Sequence, residues 1–166
     1  MAEKDLLIKE KVESSGLFDF PGLYSFAHSW LREEGFGVTE EKYSEKISGN
    51  EREIDIEWKA IKGLSDYFRE EIAIKFEIKG LSDVEVEVDG KKKKMNKGKV
   101  TVELKGALVT DPSSKWDAQP LTKFLKDFYN KYIVPARIES LQFKVRGDTT
   151  DFKERLKAYL DLAGRR

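Results

Sequence analysis

The sequence has no cysteine, one histidine and no surplus charge of either sign. The first absence removes disulfides, thiolate nucleophiles and cysteine metal sites together. The second leaves His28 as the sole residue for any histidine-dependent catalysis. The third is a balance of 31 basic against 31 acidic side chains, with a pI near 6.7. It argues against a dedicated nucleic-acid binder, whose affinity rests on excess Lys and Arg facing phosphates, and against steering to anionic membranes. No run approaches the ~18 apolar residues of a membrane span. Met1-Ala2-Glu3-Lys4-Asp5 has no long apolar core behind it, so no signal peptide is expected, and Ala2 stands where myristoylation needs glycine. A soluble, cytoplasmic protein is the expectation.

What is present is charge in quantity and a clear alternation. Charged residues make up 37% of 166, above the roughly 25% usual in soluble domains. Abundant Glu and Lys follow the direction that hyperthermophile proteins take. The length fits one domain over residues 1–166 that buries roughly 70% of its unfolded surface. Ile54, Ile56, Trp58 and Ala60 alternate with Asp55, Glu57 and Lys59; Ile72, Ile74, Phe76 and Ile78 with Ala73, Lys75 and Glu77; Val100, Val102 and Leu104 with Thr101, Glu103 and Lys105. Period-two patterning marks strands with one face buried, the habit of an antiparallel sheet.

The remaining segments read as partners to that sheet. Leu6 to Glu13 fits an edge strand or the start of a helix, and the strand is preferred. Pro21 suits a first helical turn capped by Asp19 or Phe20, and Leu23, Phe26, Ala27, Trp30 and Leu31 form one helical stripe ended by Gly35 and Gly37. Val38 to Ser48 is a weaker strand that a turn at Ser48-Gly49-Asn50 pairs with the strand from Glu53. Val84, Val86 and Val88 lead to Asp89-Gly90, a strong two-residue turn that sets Glu87 opposite Lys92 and Glu85 opposite Lys94. The hexapeptide Ile61-Lys62-Gly63-Leu64-Ser65-Asp66 recurs as Ile78-Lys79-Gly80-Leu81-Ser82-Asp83. Its first copy is out of phase with the strand before it, which predicts a bulge between Ala60 and Gly63.

After the sheet, Pro120 begins a helix with Leu121, Phe124, Leu125, Phe128 and Tyr132 on one face, interrupted at Pro135. Ile138, Leu141 and Val145 continue at helical spacing with Phe143 out of line. Gly147 then separates a last helix, capped by Thr150 or Asp151, with Phe152, Leu156, Tyr159 and Leu160 as its stripe. The fold expected is α+β: an antiparallel meander of about five or six strands, one N-terminal helix, and two or three C-terminal helices packed on one face. In element order alone this resembles helix-grip proteins, which curl a sheet around a terminal helix and hold apolar ligands between them. The resemblance implies a single long C-terminal helix, from which the split departs.

Chemistry is sparse. Gly35-Phe36-Gly37 opens like a dinucleotide loop, but Glu40 takes the third glycine position and the segment follows a helix. No Walker sequence, calcium loop or Gly-x-Ser-x-Gly occurs, and no metal or cofactor is expected. Adjacent pairs such as Glu70 and Glu71 point apart on a strand. His28 falls at the margin of the apolar stripe, one turn after Tyr24, where a packed boundary histidine and a general base are both conceivable readings. The lysine run Lys91 to Lys94 is an anion site or a solvated hairpin at a sheet edge whose glutamates neutralise half of it. Trp116, in the polar stretch Ser113 to Asp117, is a binding hot spot or a lid over the core. The function expected is a non-enzymatic module that binds a protein partner or itself through a sheet edge, Trp116 or Lys91 and Lys93. The alternative is an apolar-ligand pocket between sheet and helices, catalytic through His28, beside Tyr24, and a carboxylate.

Overall fold

A computed structural model describes residues 3–65, 67–110 and 134–164. Seven elements are placed there: β1 (Glu3–Phe18), α1 (Phe20–Glu33), β2 (Gly37–Ser48), β3 (Glu51–Gly63), β4 (Phe68–Val88), β5 (Lys91–Thr110) and α2 (Val134–Gly164). The strands form one antiparallel sheet in the order β1-β5-β4-β3-β2. From β2 to β5 it is a meander of hairpins, and β1 closes the far side on β5. The expected α+β meander is therefore present with five strands. Trp116 and the helix expected from Pro120 lie outside the described residues.

Alternation decides which face is covered. Ile54, Ile56, Trp58, Ile72, Ile74, Phe76, Ile78, Val100, Val102 and Leu104 are all buried on one face. Leu23, Ala27 and Leu31 of α1 and Phe152, Leu156 and Leu160 of α2 join them in one core. The two helices meet over it, with Trp30 stacked on Phe152 at 4.9 Å and Phe26 on Tyr159 at 4.8 Å. Close approach of α2 to the sheet depends on Gly106, where a Cβ would overlap the Thr149 hydroxyl. That hydroxyl donates to the Val145 carbonyl at 2.8 Å instead of facing the core unpaired. Lys153 of α2 reaches Glu10 of β1 at 3.0 Å.

Three expectations need correction. Among the described residues there is one C-terminal helix, not two or three. Arg137 to Arg146 and the segment after Gly147 run through as the 31-residue α2, so Thr150 and Asp151 are interior positions and not caps. Burial of Val145, Phe152, Leu156 and Leu160 along one stripe outweighs the roughly 1 kcal/mol that a mid-helix glycine costs. Pro135 sits in the first turn, where its missing N–H is tolerated.

Second, no bulge lies at Ile61. The ladder runs regularly through Ala60↔Ile72, Ile61↔Glu71 and Lys62↔Glu70. Ile61 stays half-exposed on the outer face, since the strand ends two residues later. The bulge falls in the other copy of the hexapeptide, between Lys79 and Ser82. Ile78 and Leu81 are both fully buried though three residues apart, which strict alternation forbids and one extra residue permits. Gly80 takes φ +64 there, and a Cβ on the facing Gly98 would stand 3.0 Å from the Lys79 carbonyl oxygen. Other register shifts lie between Leu6 and Ile8, Glu40 and Lys42, and Arg52 and Ile54.

Third, the lysine hairpin is not at a sheet edge. It joins β4 and β5, which are interior strands. Pairing with β3 stops at Leu81 and pairing with β1 stops at Asn96. Val84–Val88 and Lys91–Met95 thus pair only with each other, as a two-stranded ribbon beyond the body of the sheet. The tip is the expected tight turn, with Asp89 at φ 51 and Gly90 at φ 79.

Candidate functional site

The free edge of the sheet is β2. Its residues are exposed except Val38, which is half-buried. The opposite edge differs, because β1 carries the ion pair to Lys153 and a contact from Gln142 of α2 to Asp5 at 3.4 Å. Two large apolar side chains of β2 face water: Tyr43 at 48% and Ile47 at 71% exposure. Register explains their placement. After the shift at Glu41, Tyr43 pairs with Ile56 and Glu45 with Ile54, so Tyr43, Glu45 and Ile47 project on the helix-bearing side of the sheet. Glu45 is held by Arg52, which also reaches Asp83 on the ribbon, at 3.4 and 3.2 Å. Asn96 ties the same region to α1, accepting from the Phe20 N–H and donating to Asp83, both at 2.8 Å.

Where α1 meets the start of β2, the structure brings Tyr24 and His28 together around Trp58. The Tyr24 hydroxyl and the Trp58 indole N–H both donate to Glu40 Oε1, at 2.9 and 3.2 Å. Burial, and then that bond to Glu40, hold the Tyr24 hydroxyl above the usual tyrosine range. Tyr24, His28 and Phe76 pack edge-on against Trp58 with centroids 5.1, 5.7 and 4.9 Å away. His28 is half-buried in this packing. The groove that touches Trp58, about 230 Å³, opens on the other face of the sheet among Glu41, Glu57, Lys75, Glu103 and Lys105. A larger space of about 430 Å³ lies between the sheet and α2, lined by Lys4, Asp5, Leu108, Thr110, Ile138 and Gln142.

A buried carboxyl was not singled out by sequence reasoning. Glu70 is fully buried on the core face, and neither carboxyl oxygen has a donor among the described residues. Burial first, and then a hydrogen bond to Asp148, push it up to about 8, against smaller opposing effects of Lys144 and Lys62. A protonated Glu70 is itself the donor, and Asp148, held by Lys144 at 3.2 Å, is the acceptor. Neighbouring Glu71 points the other way, between Lys59 and Lys4 at 3.2 and 3.4 Å. The signal was available: Phe68, Glu70 and Ile72 continue backward the buried phase of the strand. Among the described residues no group of three His, Asp or Glu is placed to hold a metal ion, and no helix is long and apolar enough to cross a membrane.

Lys91 and Lys93 are exposed on the ribbon, away from Tyr24 and His28. Lys92 stands opposite Glu87 and Lys94 opposite Glu85, as the turn predicts, while Lys93 stands opposite Val86. No protein-family model matches the chain, and no curated protein matches it, so the reading of these surfaces rests on their chemistry.

Proposed function

We propose that the chain is a non-enzymatic binding module that takes an extended segment of a protein partner along β2. The observation that carries this is the open edge itself: a 12-residue strand paired on one side only, with Tyr43 and Ile47 presented beside it. Strand addition to such an edge gives affinity through main-chain hydrogen bonds and specificity through alternate side chains. Glu40, Glu41, Lys42, Glu45 and Lys46, together with the register shift at Glu41, limit indiscriminate edge-to-edge stacking. The two apolar residues then supply anchors on one face only.

A photo-crosslinking residue at Ile47, with Lys75 on the outer face as control, tests this in lysate of the source cells. A defined adduct at position 47, to one partner or to a second copy of the chain, is the expected result, and Tyr43→Lys should reduce it at least fivefold. Equal labelling at both positions, or a strict monomer by light scattering with no position-47 adduct, would sink the reading.

A further inference from the structure

We propose that the outer face of the β4–β5 ribbon binds the phosphate backbone of double-stranded DNA. This goes beyond the β2 edge and does not rest on it. The composition argues against nucleic acid because charge is summed over the whole chain, whereas pairing in the ribbon sorts charge by face. The bulge between Lys79 and Ser82 shifts the alternation of β4 by one. Asp83, Glu85 and Glu87 therefore project toward the helices, across from Asn96, Lys94 and Lys92. On the outer face lie Lys91, Lys93, Lys97 and Lys99 of β5, all exposed, with Lys79 across from Lys99.

Among the described residues no carboxylate of β4, β5 or β1 shares that face between the turn and Lys99, while Glu51 of the neighbouring β3 comes close to Gly80. The other residues of the face there are Val84, Val86, Ser82 and Met95, with Leu17 and Ser15 alongside on β1. The first acids in the strip's path along β1 and β4 are Glu13 and Glu77, both opposite Thr101; Glu13 pairs with Lys11 at 2.9 Å and also faces Lys99, which closes the strip at that end. Eight residue steps from Lys91 to Lys99 make a cationic line about 27 Å long at ~3.4 Å per residue. A line of that length suits an extended polyanion better than a discrete anion.

The form of the polyanion follows from shape and from what the ribbon lacks. A two-stranded ribbon that projects beyond its sheet is a shape the major groove of B-form DNA admits. A-form RNA has a major groove too narrow for it. Single strands are bound through aromatic stacking platforms, and no aromatic residue occurs from Lys79 to Lys99. A lipid surface would call for apolar side chains that insert, whereas Met95 is 5% exposed and Val84 and Val86 are half-buried.

Fluorescence anisotropy with the intact chain and a labelled 20-base-pair DNA duplex tests the proposal. The expected result is binding at 50 mM salt that weakens at least tenfold by 200 mM, as release of counterions from a few phosphates requires. Lys91→Glu with Lys93→Glu should weaken binding at least tenfold. Lys92→Glu with Lys94→Glu makes the same change in net charge on the opposite face and should weaken it less than threefold. Lys91→Gln with Lys93→Gln, which adds no acid to the ribbon, should reproduce the loss in part. Equal losses from the two Glu pairs overturn the proposal, as does no binding at 50 mM. Tighter binding to the single strand, to phosphatidylserine vesicles or to a glutamate 20-mer overturns it as well.

Discussion

Glu70 shows how burial can reassign a residue that looks like surface material in the sequence. Its side chain is enclosed by the sheet and α2, with Asp148 and Lys144 facing it from the helix and Lys62 opposite it on β3. The folded chain holds a proton on Glu70 up to about pH 8, while the unfolded chain releases it near 4.5. The folded state therefore binds more protons across that window, so stability falls as pH rises from about 4.5 to 8 and levels off above. Glu70→Gln removes the ionisable group and keeps a donor for Asp148. Urea unfolding should find the variant similar to the parent at pH 5 and more stable at pH 9, by roughly a few kcal/mol at ~1.4 kcal/mol per pKa unit. Parallel pH profiles for the two proteins would refute this account.

Among the elements, α2 is the one whose outline the sequence conceals. Gly147 looks like a break because glycine is a poor helix former, and Asp151 with Glu154 imitates a cap. Yet the position is exposed, and a Cβ there meets nothing within 4 Å. Gly147→Ala should therefore stabilise the protein by about 0.5–1 kcal/mol, read as a rise in melting temperature. An unchanged or lowered melting temperature would mean that the helix does not run through this residue. The strands were more legible. Period-two burial in Glu53–Lys59, Ile72–Ile78 and Val100–Leu104, the Asp89-Gly90 turn and the register of Glu85 and Glu87 follow from local chemistry that the whole molecule leaves intact. The bulge was misplaced because local phase alone cannot say which of two identical hexapeptides must deliver a leucine to the core. That depends on where Leu81 lands relative to α1 and β5. Tyr24 and His28 were legible as neighbours on one helix face, but Glu40, which binds both Tyr24 and Trp58, comes from another strand and carried no local sign.

For the whole molecule, composition and architecture give different accounts of charge. A net charge of zero describes a sum, while the ribbon segregates lysines from glutamates across its two faces. The architecture also separates its contacts by distance along the chain. From β2 to β5 each strand pairs with its successor, so that part can zip up hairpin by hairpin. β1 instead pairs with β5, Glu3 with Thr110 and Phe18 with Asn96, across most of the described sheet. Closing so long a loop costs entropy before any contact repays it. The order of assembly follows: the meander forms early, while β1 and the helix packed on it join after the rate-limiting barrier. Val12→Ala, in the buried part of β1, should therefore accelerate unfolding in stopped-flow experiments and barely slow refolding, whereas Ile74→Val, in the centre of the meander, should do the reverse. A strand that closes the sheet would then act as its latch, setting how long the native state persists more than how quickly it is reached.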